Sequence, residues 1–187
     1  MYLDSVGLVT IGYGSMLPDA KSAAAVAFVK IKGGAATMAE IAAAFNIVHA
    51  GGAAQKAAAP AHKFGAKHYE KVTDLRITQA TASALRDAHI DADYLQLRMI
   101  YPMFDTFPDT AKLALFDMIY NLGAGHGKTR HHRATGLRTY TGMNAAIARG
   151  DWSMAARHCH RHGIPIERNL ATAELFKNCA VANAKVL

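Results

Sequence analysis

Within its first fourteen residues the chain runs YLDSVGLVTIGYG, with a carboxylate at Asp4 and a hydroxyl at Thr10 on either side of a glycine turn. Two such groups on neighbouring parts of one hairpin can face a shared cleft and hold a water between them. In glycoside hydrolysis by inversion, one carboxyl protonates the leaving oxygen while a second carboxylate activates a water on the opposite face of the sugar. Asp4 with Thr10 would make the water-activating half. An Asp in a turn and a Thr in a strand are also ordinary hairpin residues, so the pair alone does not select this chemistry.

Other carboxylates offer no obvious partner for that half. Thr37 and Glu40 have the spacing of a capping box, Glu167 opens the last helical pattern beside Arg168, and Glu174 lies within it. His158 and His162 are four residues apart, with Cys159 and His160 between them, a spacing that could put two imidazoles on one helical face. Residues two apart on a helix point away from each other, however, and no matching ligand group lies nearby. His131 and His132, in a loop, are no better placed, so no metal site is expected.

Residues 2–17 alternate apolar with small or polar residues, punctuated by Gly7, Gly12 and Gly14, which predicts a hairpin or three-stranded meander ended by Pro18. One or two helical turns should follow over 19–30, then a helix after Thr37 with Ile41, Phe45 and Val48 inward. The stretch 50–65 reads as a loop or an excursion between lobes. A long helix is expected over 78–100, with Leu85, Ile90, Leu95 and Met99 as its apolar stripe and Pro102 beyond its end. A core helix should follow Pro108, turning Leu113, Phe116, Ile119 and Tyr120 inward and capped by Gly123. Three more helices fit 138–149, 151–161 and 167–182, with Trp152 as a core anchor. A small β region followed by helices predicts an α+β, mainly helical fold with the sheet at one end.

The chain of 187 residues is 51% hydrophobic and 19% charged, long enough to bury a real core. Its net charge is +7 with ten histidines, and the segments KTRHHRATGLR and RHCHRHG concentrate positive residues in the second half. Such charge either forms a solvated basic face or draws the protein to a polyanion: nucleic acid, anionic lipid or an acidic cell-wall polymer. A nucleic-acid binder would need an aromatic platform or recognition helix, and none is legible. Cys159 and Cys179 read as buried free thiols. There is no pattern of a secretory signal and no apolar run long enough for a membrane span.

Taken together, three separated blocks resemble one family. YLDSVGLVTIGYGSMLPDA resembles the catalytic hairpin of the phage lysozyme (endolysin) family and of the muramidase domains in pesticin-like bacteriocins and type VI secretion effectors. ALFDMIYNLGAG resembles the central helix of those domains, and AIARGDWSMAARHCHRHGIPIERNLATAELF their C-terminal helices. The resemblance runs from Met1 to about residue 182. It implies a lysozyme-like fold, with a hairpin lobe and connector over 1–65 and a helical lobe over 66–187. It also implies cleavage of the β-1,4 bond between N-acetylmuramic acid and N-acetylglucosamine in bacterial peptidoglycan, with no metal and no cofactor.

Carried over by position, Asp4 activates the water and Thr10 helps place it, while Tyr13, Ser15 and Arg168 support the site. Many relatives carry His or Asn where Ser15 stands, which implies altered cleft contacts. The family's general acid is a Glu in the pattern E-x8-D-x5-T, and here that Glu would fall before Met1, so the expectation is an N-terminally truncated domain. As alternatives the chain would be a catalytically dead glycan-binding descendant or a basic nucleic-acid-binding helical protein. The family further implies a monomer made in the cytoplasm without a signal peptide. It would reach the cell wall as a phage endolysin, or as a delivered toxin with an immunity protein as partner.

Overall fold

Gly7 fixes where the chain first turns. Its φ of +82° lies in the left-handed region, and a Cβ there would meet the Gly52 carbonyl oxygen at 2.2 Å, so both the turn and the close approach require glycine. Beside this turn, Tyr2–Leu3 (β1) and Val9–Ile11 (β2) pair antiparallel, and Ser15–Met16 (β3) pairs with the other edge of β2. The expected meander is therefore present. Strand alternation sends Leu3, Val9 and Ile11 into a core completed by Phe28, Ile41, Phe45, Val48 and Leu75.

The computed structural model describes residues 1–59, 62–126 and 135–184. Its architecture is α+β and mainly helical, in two units, Met1–His89 and Ile90–Leu187. In the first unit, Ala20–Ala24 (α1) is capped by Asp19, whose carboxylate accepts from the Ser22 amide at 2.7 Å. Met38–Ala50 (α2) starts with the expected capping box: the Glu40 amide donates to Thr37 Oγ1 at 3.2 Å, and the Thr37 amide donates to Glu40 Oε2 at 2.7 Å. Val29–Lys30 (β4) and Leu75–Arg76 (β5) form a second, two-stranded sheet. That pairing, and the packing of the 3₁₀ turn Ala66–Lys71 on β1, draw residues 66–89 into the first unit. The division falls at 89/90 instead of 65/66.

Part of the segment expected as a loop is helical. Gly52–Ala57 (α3) follows α2 directly, as its alanine content favours. Its Gln55 is buried and holds the Phe64 backbone from both sides, Nε2 donating to the carbonyl at 3.0 Å and Oε1 accepting from the amide at 3.3 Å. The long helix Gln79–Ile100 (α4) has the expected extent but a different apolar face. Ile90, Leu95 and Met99 are exposed, whereas Ala82 and Leu97 are buried. The N-terminal half of α4 packs Ala82 and Leu85 in the first unit and its C-terminal half packs Tyr94 and Leu97 in the second, so no single stripe runs its length.

In the second unit, Asp109–Leu122 (α5) buries Ala111, Ala114, Leu115, Met118 and Ile119, the i, i+3, i+4, i+7, i+8 pattern of one helical face. Leu113 and Tyr120, expected inward, are exposed, and Phe116 is half-buried. Gly123 ends the helix with φ +66°. A 3₁₀ turn at Gly136–Thr139 leads into Thr141–Ala148 (α6), then Trp152–His158 (α7), capped by Asp151, and Ile166–Ala184 (α8). Trp152 is buried, edge-on to Phe107 and stacked on Phe176. Cys159 and Cys179 are buried free thiols. Residues 127–134, with His131 and His132, lie outside the described residues. No helix among the described residues is long and apolar enough to cross a membrane.

Gly7→Ala should lose more than about 2 kcal/mol, since left-handed strain of about 1–2 kcal/mol is joined by the collision with Gly52. Gly33→Ala, at φ +95° but in open space, should lose only the strain. Urea unfolding of the two variants side by side checks the difference.

Candidate functional site

Asp4 and Thr10 are tied to the backbone of one residue, Leu8. In the β1–β2 register Tyr2 stands opposite Thr10 and Leu3 opposite Val9, and beyond the strands the Asp4 amide donates to the Leu8 carbonyl at 3.0 Å. Alternation therefore puts Asp4 and Thr10 on the same face of the hairpin, opposite the core-facing Leu3 and Val9. Asp4 Oδ1 accepts from the amides of Val6 and Leu8, both at 2.9 Å. Thr10 Oγ1 donates to the Leu8 carbonyl at 3.1 Å. The two side chains do not hydrogen-bond each other; both are fixed to the Leu8 backbone.

This geometry divides the work of each group. Asp4 closes the turn with one oxygen, as a bland hairpin Asp would, while its Oδ2 takes no hydrogen bond among the described residues and the side chain is half-buried. Thr10 is 3% exposed and its hydroxyl proton is committed, so toward a water the oxygen would act as acceptor. Asp4 and Thr10 are diagonal neighbours on one face of the antiparallel pair, positions whose backbones lie roughly 7–8 Å apart.

Tyr13 lies in the β2–β3 turn, and Ser15 does not join the pair: opposite the core-facing Ile11, it is on the other face of the sheet from Asp4 and Thr10. The Tyr13 ring is held from α4, where Gln79 Nε2 donates to its hydroxyl at 2.7 Å and the Arg86 guanidinium lies 5.5 Å from its centroid. Ser15, in β3, pairs with Ile11 and is half-buried. Gln79 and Arg86 were not singled out from sequence, although their i, i+7 spacing places both on one face of a helix.

Arg168 belongs to the second unit, where it reaches a carboxylate that sequence reasoning missed. Asp117, on α5, lies at the centre of a polar network. Arg168 Nε donates to its Oδ1 at 2.8 Å, and Arg168 Nη2 lies 2.6 Å from the same oxygen as an ion pair. Arg161, between α7 and α8, donates to Oδ2 at 2.7 Å and to the Asp117 carbonyl at 2.9 Å. Thr172 donates to Oδ2 at 2.6 Å while accepting from Arg161 Nη2 at 2.7 Å. Asn169 Oδ1 accepts from Arg161 Nε at 3.2 Å, and its Nδ2 donates to the Arg161 carbonyl at 2.9 Å. Arg161 is 0% exposed. RHCHRHG is therefore not simply a basic surface segment.

Burial by itself would raise the Asp117 carboxyl, but hydrogen bonds from Thr172, Arg168 and Arg161, with the charge of Arg161, outweigh it and hold the group below the usual carboxylate range. Asp117 thus stays ionised at neutral pH, which suits a structural anion and excludes it as a proton donor there. The other carboxylates keep the roles their positions suggested. Glu40 remains in its capping box with Lys30 at 3.3 Å, Glu167 lies in the first turn of α8, and Glu174 pairs with Lys177 at 3.4 Å. His158 and His162 do not share a helical face, because α7 ends at His158. No group of three or more His, Cys, Asp or Glu arranged to hold a metal ion is found among the described residues. Compared with protein-family models, curated proteins and solved structures, the chain matches none.

Removing Asp117 leaves a buried guanidinium without its anion. Asp117→Ala should cost about 3 kcal/mol, the lower end for a broken buried pair, since the carboxylate keeps some solvent contact. Because the folded-state carboxyl is depressed, its contribution is present above the unfolded value of about 4 and is lost as pH falls through the folded value. The stability gap between the native chain and Asp117→Asn should therefore narrow from pH 7 to pH 3, as read by chemical unfolding at each pH.

Proposed function

We propose that this chain is a lysozyme-like muramidase domain. It hydrolyses the β-1,4 bond between N-acetylmuramic acid and N-acetylglucosamine of peptidoglycan by inversion. The observation that carries the reading is the hairpin: a carboxylate anchored through one oxygen with the other left over, and a buried hydroxyl on the same face, both tied to Leu8. Asp4 takes the proton from the attacking water through Oδ2, and Thr10 Oγ1 accepts a hydrogen bond that orients the same water. Tyr13, braced by Gln79 and Arg86, offers a ring beside the reacting sugar. The general acid would be a Glu nine residues before Asp4, the position it holds in the family's E-x8-D-x5-T pattern.

A second reading, glycan binding without cleavage, is favoured by one observation. Arg168, the position whose counterpart in the family lies beside the acid, is already engaged by Asp117 at 2.6 Å.

The test is turbidity loss and muropeptide release from purified peptidoglycan by this chain and by a form extended upstream through that Glu. The extended form should cut. Its Asp4→Asn variant should lose about 10²–10⁴-fold in rate yet stay folded, because the amide oxygen can still accept from Val6 and Leu8. Undiminished cutting by Asp4→Asn would overturn the assignment of the base. Cutting by the unextended chain would move the acid to another residue. Sedimentation with peptidoglycan by both forms, without cutting by either, would establish the binding reading.

A further inference from the structure

We propose that the second unit carries a binding site for a small monocarboxylate with an apolar body, seated in a cavity of about 540 Å³ beside Arg138. This inference is independent of the muramidase reading. The volume falls within the usual range for small-molecule sites, roughly 300–1,000 Å³. The wall is apolar, built from Ile100, Pro102, Met103, Phe107 and Ile147, and three polar side chains converge on it: Tyr101, Arg138 and Asn144.

The polar groups set the charge of the occupant. Arg98 pairs with Asp105 at 3.1 Å, and Arg161 and Arg168 both reach Asp117. Arg138 is half-buried, lines the cavity, and has no carboxylate or hydrogen-bond acceptor among the described residues. A guanidinium held against apolar surface gains most from an anion that its planar fork can grip, which a carboxylate matches. Asn144 is already oriented: its Oδ1 accepts from the Tyr101 hydroxyl at 2.5 Å, and its Nδ2 donates to the Leu137 carbonyl at 3.2 Å. One Nδ2 hydrogen remains for the ligand. One cation and one amide hydrogen suit a single negative charge and fall short of the donors a phosphate dianion would need. The apolar remainder of the ligand then lies along Phe107 and Ile147.

Octanoate is the probe, with 1-octanol as its uncharged counterpart, titrated into the full chain by calorimetry. Fluorescence of Trp152, the single tryptophan, whose ring lies 5.2 Å from that of the cavity-lining Phe107, gives a second readout. Octanoate should bind saturably at one site, about tenfold or more tighter than octanol. Arg138→Gln should bring octanoate down to the octanol level without changing octanol. Arg138→Lys, which keeps the charge and loses the fork, should fall between. Ala148→Phe, placed at an exposed lining position, should fill the mouth and abolish both. Equal binding of octanoate and octanol, or an Arg138→Gln variant that binds octanoate unchanged, would overturn the assignment of charge. Absence of saturable binding, or binding that survives Ala148→Phe, would overturn the site itself.

Discussion

The second unit depends on a charge that has been taken out of water. Desolvating a guanidinium costs several kcal/mol unless an anion and further hydrogen-bond acceptors replace the lost solvent. Arg161 is fully buried, and each nitrogen of its head group finds a partner: Asp117 through its carboxylate and its carbonyl, Thr172, and Asn169. These partners come from α5 and α8, while Arg161 itself lies between α7 and α8. One polar knot therefore fixes how three helical segments register. The apolar face of α5 and the stacked Trp152 and Phe176 supply the burial, but apolar contacts are non-directional. The network is what makes one arrangement preferable to its neighbours.

The first unit uses the backbone for the same purpose. A single residue, Leu8, takes a side chain on each of its backbone groups: its N–H goes to Asp4 and its C=O to Thr10. Gly7, one residue earlier, admits Gly52 to within a distance no Cβ allows. The turn is thus held by α3 behind it and by its own polar side chains in front. Side chains anchored in this way have little conformational freedom left to lose.

Features governed by a few adjacent residues were legible in the sequence. The Thr37–Glu40 box needs only its own helix start, and the meander follows from alternation and glycine. Features governed by distant partners were not. Arg161, within RHCHRHG, reads as one more surface cation until Asp117, 44 residues away, is known to face it. Asp117 is the charged residue interrupting ALFDMIYNLG, and of the inward set Leu113, Phe116, Ile119 and Tyr120 only Ile119 is buried, beside Ala111, Ala114, Leu115 and Met118. Alanine carries too little hydropathy to mark a face even where it is packed completely. For α4 the single stripe failed because two different cores share the helix. At the candidate site the type and order of Asp4 and Thr10 were readable, while the bracing of Tyr13 by Gln79 and Arg86 required the helix to be in place.

The two buried thiols bear on where such a protein can survive. Reactivity toward oxidants and disulfides belongs to the thiolate, and burial pushes the Cys159 thiol up, away from ionisation. Its Sγ donates to the Ala156 carbonyl at 3.2 Å, and Cys179 Sγ lies 2.9 Å from Thr110 Oγ1 and 3.3 Å from the Leu175 carbonyl. Neither sulfur is open to a soluble oxidant or to a partner thiol. The fold consequently needs no disulfide to form and offers none to be scrambled. Its stability should be the same in a reducing cytosol and in an oxidising medium.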